Sequence, residues 1–423
     1  MKRLNLLFFA LFLFLYPDLD AQNKEQARIW IDTLASPFMK GRGYAHKGDQ
    51  IAADFLAGEM KKLGLNPFFE DKSFLQPFTH SVNVFENEQE LCMGNRKLKP
   101  GKEFIISPFS GNVHGNFRPV IYKDAEIENI KALTAKEKSF KKKAIVLWPS
   151  HAEMLKKARA AISECLAQTD VVILINPAKL TWSVSDYSVS GKAVFEVDAK
   201  YVEEFSPDSR LKITSRSEFL KEYVSYNLGG YIEGAIKDTF ILITAHYDHL
   251  GMMGSALFPG AGDNASGTAM MLDLASYYTG QSKPKYSLLF LAFAGEEAGL
   301  KGSRHFVESQ SGFLKKIRFV MNIDLMGGGS VGSTVVNGTE YPAEFDRMVA
   351  INEKYQLLGR VKARGKAANS DHYWFSEKGV PAFFMYSEGD VSAYHDVHDT
   401  RENLPLTRYN ELFLLIRYFI DGF

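Results

Sequence analysis

Four apolar runs in the second half of the chain limit its fold more than any other feature. They are FILITA (240–245), SLLFLAFA (287–294), FVMNI (319–323) and PAFFMY (381–386). Each is a nearly unbroken hydrophobic stretch of strand length, which suits a sheet buried on both faces rather than one that is half solvated. Helical patterns separate the runs. Met270, Leu274 and Tyr277 share one helix face, and Leu412, Leu415, Ile416 and Phe419 line a last helix. Strands alternating with helices predict an α/β fold with a mostly parallel central sheet flanked by helices.

The first half is organised differently. Gln26 to Leu65 reads as helical, with Ala52, Phe55, Leu56, Met60 and Leu63 on one face and Gly64 able to end it. From about Phe78 to Lys123, short alternating runs and turn residues suggest β-structure. AIVLW (144–148), a helix over about 152–168, DVVILIN (170–176) and AVFEVDA (193–199) then form a strand–helix–strand unit and a further strand. Residues 86–222 are read as an inserted smaller α/β or β-rich domain. It separates a helical part at 22–85 from the main catalytic segment at 223–423. GRG at 41–43 is too short for a nucleotide loop and lacks a preceding strand.

Residues 1–21 read as a signal peptide. Lys2 and Arg3 precede an apolar run from Leu4 to Tyr16, Pro17 stops it, and Ala21 offers a small residue for cleavage. A spanning helix needs about 20 apolar residues. An exported protein, periplasmic or secreted, is expected, with no membrane span. Lys+Arg and Asp+Glu both number 50, so a neutral balance gives no reason to expect nucleic acid as a partner. Cys92 and Cys165 are too few for a disulfide scaffold. Cys165 shares helical spacing with Ala158, Ala161 and Ile162, which predicts a buried thiol rather than a bridge between the two.

Acids and histidines gather where the strands should end. His246 and Asp248 follow the first run, Glu296 and Glu297 the second, and Asp324 the third. Carboxyl ends of strands are where open α/β sheets place their ligands. Any one of these residues alone is an ordinary loop residue. Three strand ends carrying them together would crowd like charge onto one sheet edge, which calls for a cation. Glu296 and Glu297 are adjacent and should diverge, so one ligand and one general base is the economical division. Asp263, in PGAGDNASG (259–267), reads equally as a helix cap. No P-loop is present.

AHYDHLG (245–251), GAGDNASGTA (260–269), FAGEEAGLKGS (293–303), NIDLMGG (322–328), SDHYWF (370–375) and AYHDVHDT (393–400) resemble, in order and spacing, the family-28 metallopeptidases. These are exported bimetallic zinc exopeptidases, mostly aminopeptidases. Residues 34–65 also resemble the helical region that precedes their catalytic domain, and 86–222 is loosely similar to protease-associated domains. The resemblance implies a zinc exopeptidase fold and two zincs per chain. It implies that His246 and Asp324 each bind a zinc, Asp263 bridges the pair, and Glu297 and His395 complete the ligands. His398 is the rival for the last position. Glu296 would be the general base, Asp248 would orient His246, and Tyr394 would stabilise the oxyanion. A water shared by two zincs has its pKa lowered toward about 7, and Glu296 would take its proton. The implied substrates are peptides with a free amino terminus. A glutaminyl cyclase or a carboxypeptidase of the same fold, and an inactive receptor-like binding protein, are the alternatives. The oligomeric state is not legible.

Overall fold

The four apolar runs all lie in one mixed sheet. The computed structural model describes residues 24–423 apart from 138, 203–205 and 207, so the apolar run at 4–16 and the cleavage point near Ala21 lie outside the described residues. The principal strands are β1 (Leu75–Val84), β2 (Glu218–Ile232), β3 (Ile236–His246), β4 (Tyr286–Phe293), β5 (Ile317–Asp324), β6 (Gly332–Val336), β7 (Val361–Arg364) and β8 (Ala382–Glu388). The central order is β4-β3-β5-β8, all parallel. Antiparallel pairing enters at the flanks, where β2 joins β4 and β1, and β6 joins β8. The sheet is therefore parallel at its centre and mixed as a whole.

Side-chain alternation explains why the central runs carry no polar face. Ile241, Ile243, Phe290, Phe319, Met321 and Phe383 face the helices α1 (Lys24–Leu34), α3 (Gly267–Thr279) and α6 (Tyr409–Asp421). Leu242, Leu289, Leu291 and Val320 face Phe306 and Val307 of α4 (Lys301–Ser309) on the other side. Both faces exclude water, so both must be apolar. No helix among the described residues is long and apolar enough to cross a membrane.

The stretch expected to be helical from Gln26 to Leu65 is two helices, α1 and α2 (Gly48–Lys62), with irregular turns between them. Pro37 and a run of positive φ at Lys40, Gly41 and Arg42 break the helix. The break lets this segment pass beneath β3's exit loop. A Cβ on Gly43 would lie 2.4 Å from the Cα of Gly251, so the two backbones touch.

A second sheet of eight strands runs from Glu90–Met93 to Leu211–Ser215. Its middle strands, Val113–Lys123, Lys143–Trp148, Val171–Asn176 and Ala193–Asp198, are parallel. The helix Ala152–Gln168 covers one face, where Cys165 is fully buried, and both cysteines are free. The other face is sealed by the chain that follows β3, since Leu250, Met253, Ala256 and Phe258 belong to the same apolar core as Phe104, Phe195 and Trp182. The second sheet and the chain that follows β3 thus share a core.

Asp49, in the first turn of α2, is fully buried and accepts hydrogen bonds from the hydroxyls of Tyr223 (2.5 Å) and Ser225 (2.7 Å). Burial pushes its carboxyl up to about 7 despite those bonds. The unfolded value is about 3.9, so the folded state holds the proton more tightly and stability falls as pH rises from about 4 to about 7. Asp49→Asn is expected to flatten that part of the stability curve, by up to about 4 kcal/mol. Urea midpoints of the two proteins across this range provide the check.

Candidate metal centre

Parallel strands aim their carboxyl ends at one edge, and the candidate residues leave from there. His246 is the last residue of β3 and Asp324 the last of β5. Glu296 and Glu297 follow β4, and Asp263 precedes α3. The Nε2 of His246 lies 3.3 Å from an oxygen of Asp263 and 3.3 Å from one of Asp324. The Nε2 of His395 lies 3.0 Å from the other oxygen of Asp263 and 3.4 Å from Glu297. Asp263 therefore sits between two imidazoles, with one oxygen toward each.

His249 joins them, although the spacing argument passed over it. Its Nδ1 lies 2.9 Å from Glu297 Oε1, its ring meets that of His395 edge-on at 5.8 Å, and it is fully buried. Gly260, at φ 62°, makes room: a Cβ there would come within 2.5 Å of the His249 ring. The sequence held a signal, since the H-Y-D-H run puts a second imidazole three residues beyond His246. Of the six histidines after residue 245, these three converge. His372 packs against Phe384, His305 stacks on Phe78, and His398 is exposed, so the rival ligand lies off the centre.

Asp248 reaches the site by a route other than its side chain alone. His246 Nδ1 lies 3.1 Å from the Asp248 backbone carbonyl and 3.8 Å from its carboxylate. The carboxylate accepts the Tyr44 hydroxyl at 2.6 Å and the backbone N–H groups of Glu296 (3.2 Å) and Glu297 (3.3 Å). It thereby holds the acidic pair in place. Tyr394 stacks on His395 at 4.0 Å and lines the cleft.

The electrostatics ask for a cation. Asp248, Asp263 and Asp324 are buried, and Glu296 and Glu297 lie beside them. Burial works to raise Glu297, but His395 and the His249 hydrogen bond overcome it and hold the carboxyl at about 2. Burial likewise opposes a charged His395, yet Glu297 and Asp263 push it up to about 11. Glu296 goes the other way: burial lifts it well above the usual carboxylate range, and the charge of Glu297 adds to this against His246. The imidazoles of His246 and His395, both raised above the usual histidine range against burial by the carboxylates beside them, stand where positive charge is needed. Asp324 Oδ1 and His249 Nε2 are buried with no partner among the described residues. Two groups have donor atoms close enough to hold an ion, His246–Asp263–Asp324 and His249–Asp263–Glu297, and they share Asp263. Imidazole and carboxylate donors suit zinc. The residues present fit a metal pair.

A cleft of about 390 Å³ opens onto this cluster. Leu300, Leu325, Phe384 and Tyr386 give it an apolar wall, and Arg364 lies on its lining.

Arg42, from the GRG segment, ties the loops together. It is fully buried and donates to the carbonyls of Leu34 (2.8 Å), Tyr247 (2.7 Å), Pro259 (2.8 Å), Gly260 (2.6 Å) and Asp263 (3.3 Å). Burial lowers it to about 10, with Asp399 and Asp263 opposing, so it remains charged at neutral pH. Asp399 accepts the N–H groups of Gly262 (2.7 Å) and Asp263 (3.0 Å) from the other side. Arg42→Ala strands these carbonyls and is expected to cost about 3–5 kcal/mol, read as a lowered melting temperature. Arg42→Lys, with a compact ammonium in place of a planar fork, is expected to recover little of it.

Residues 227–420 match the model of Peptidase family M28. A probable leucine aminopeptidase of Arthroderma otae is 28% identical over 219 residues, covering 45% of this chain and 58% of the relative. Aminopeptidase YwaD of Bacillus subtilis is 29% identical over 183 residues, covering 40% and 38%. The chain thus spans roughly half the length, or less, of these curated relatives. The crystal structure of BSAP, a zinc aminopeptidase from Bacillus subtilis, superposes with a TM-score of 0.70 at 20% identity, over 94% of this chain and 95% of that one. Its fold is the fold seen here. Residues 227–420, with the candidate metal-binding cluster at the carboxyl ends of their central strands, are thus similar to peptidase family M28.

Proposed function

We propose that the chain is an exported zinc aminopeptidase that removes residues from peptide amino termini. The observation that carries this reading is Asp263 lying between His246 with Asp324 on one side and His395 with Glu297 on the other. In this reading His246 and Asp324 would hold one zinc, Glu297 and His395 would hold the other, and Asp263 would be shared between them. Two zincs so held supply Lewis acidity toward the scissile carbonyl and make water acidic enough to attack near neutral pH.

The chain's own groups do the rest. Glu296 lines the cleft. It takes the proton of the attacking water and returns it to the leaving amine. Asp248, through the N–H groups of Glu296 and Glu297, keeps base and ligand pointing apart. The Tyr394 hydroxyl, at the cleft mouth, donates to the carbonyl oxygen as charge develops there. A cationic amino terminus is drawn by the carboxylates of Glu296 and Asp324. Leu300, Leu325 and Phe384 offer an apolar substrate side chain a dry wall. The basic pair and apolar run at 2–16 are the basis for export.

Arg364 on the cleft lining favours a second reading, a carboxypeptidase in which the guanidinium grips the terminal carboxylate. Free and amino-acetylated peptides separate the two. Release of residues only from free amino termini is expected, and release from the carboxyl end would establish the rival. One zinc per chain on elemental analysis would favour a glutaminyl cyclase, and intact zinc without turnover on any peptide would favour a binding protein.

Aminoacyl anilides are expected to be cleaved in a chelator-sensitive way. Glu296→Gln should keep two zincs by elemental analysis and lose about 10²–10⁴-fold in kcat, since only the proton acceptor is removed. Glu297→Gln should instead lose metal. The opposite pattern would reverse the two roles.

A further inference from the structure

The inserted sheet touches the metal centre through one loop. Between its strands Val171–Asn176 and Ala193–Asp198, residues 177–192 cross to the segment that carries Tyr394 and His395. The N–H of Trp182 donates to the carbonyl of His395 at 2.8 Å. The His395 ring returns the contact, with Nδ1 3.1 Å from the Trp182 carbonyl. A carbonyl can only accept, so Nδ1 carries the proton and Nε2 is the nitrogen that faces Asp263 and Glu297. Three residues earlier, the Lys179 ammonium donates to the carbonyls of Ser392 (2.9 Å) and Tyr394 (3.2 Å) and pairs with Asp396.

The loop is itself held firmly. The indole N–H of Trp182 donates to the Ile106 carbonyl at 2.7 Å, and the ring stacks on Phe258 at 4.7 Å, inside the core that the second sheet shares with the chain after β3. Ser81 Oγ donates to the carbonyl of Asp186, and Lys301 of α4 pairs with its carboxylate. The receiving segment has more need of support. His395 sits at φ 53°, in the left-handed region that a residue with a Cβ adopts only when its surroundings impose it. Within 391–399 no helix or strand forms, so its own backbone ladder cannot impose that conformation.

We propose that the insert's loop 177–187 is a template for the metal centre, with Lys179 and the Trp182 backbone as positioning groups that fix the backbone and the tautomer of His395. Ser183, next along, lines the cleft, so the same loop also walls the substrate site. The inference rests on His395 being a metal ligand, as read above. It gives the insert a part in metal retention, through residues that touch neither metal nor substrate. Partners of this kind typically tune affinity by about 10–100-fold.

The test is zinc affinity of the full chain, stripped and then titrated against a chromogenic chelator. Lys179→Ala is expected to weaken one of the two zincs by about 10–100-fold. The other zinc, and the melting temperature of the metal-free protein, should be unchanged, because Lys179 is half exposed and lies outside the shared core. Lys179→Arg, which keeps charge and donors, should recover most of the affinity. Lys157→Ala, which breaks only the insert's own pair with Glu128, should bind both zincs normally. His395→Ala tells the two readings apart. If it loses a zinc while Lys179→Ala binds both with unchanged affinity, the template proposal is overturned and the ligand assignment stands. If His395→Ala itself retains both zincs at full affinity, the ligand assignment fails and the template falls with it.

Discussion

Asp263 lies with one oxygen 3.3 Å from His246 and the other 3.0 Å from His395, among the carboxylates of Asp324, Glu296, Glu297 and Asp248. Like charges this close, shielded from water, repel strongly unless positive charge is interleaved with them. Much of the architecture around the site answers that constraint. Three imidazoles point inward, Arg42 lies fully buried beneath the loops, and the backbone N–H groups of Gly262, Asp263, Glu296 and Glu297 are all spent on carboxylates. A bound cation would relieve the repulsion that remains.

The sheet makes the convergence possible. Four adjacent parallel strands end on one edge, so groups from β3, β4 and β5 meet without any long-range loop having to find them. Asp263 arrives on the turn into α3, fixed from both sides by Arg42 and Asp399. His395 is different, because no strand delivers it. It lies on an irregular segment, and its partners come from the insert. The apolar core of Trp182, Phe258 and Phe104 packs the insert against the chain that follows β3.

Much of this was legible in the chain. The unbroken apolar runs required strands with two buried faces, and the acids and histidines just beyond them marked the working edge. The order of the motifs pointed to the family before any coordinates. The role of each acid was less legible. Glu296 and Glu297 are neighbours, and only the placement of His249 and His395 against Glu297 tells them apart. Arg42 was passed over because a short glycine-flanked arginine has no local signature. Its five carbonyl partners come from segments 8 to 221 residues distant.

By itself, then, the sequence determined the α/β sheet, the edge that carries the chemistry and the set of residue types gathered there, because period and composition are local properties that a linear pattern expresses directly. The tertiary structure alone decided the break between α1 and α2, the burial of Arg42, the entry of His249, the carbonyl rather than carboxylate contact of Asp248 with His246, and the seating of His395 on the insert. Each of these depends on two backbones far apart in sequence approaching within a hydrogen bond or a van der Waals contact. No propensity encodes such an approach, since it arises only when the shared core closes.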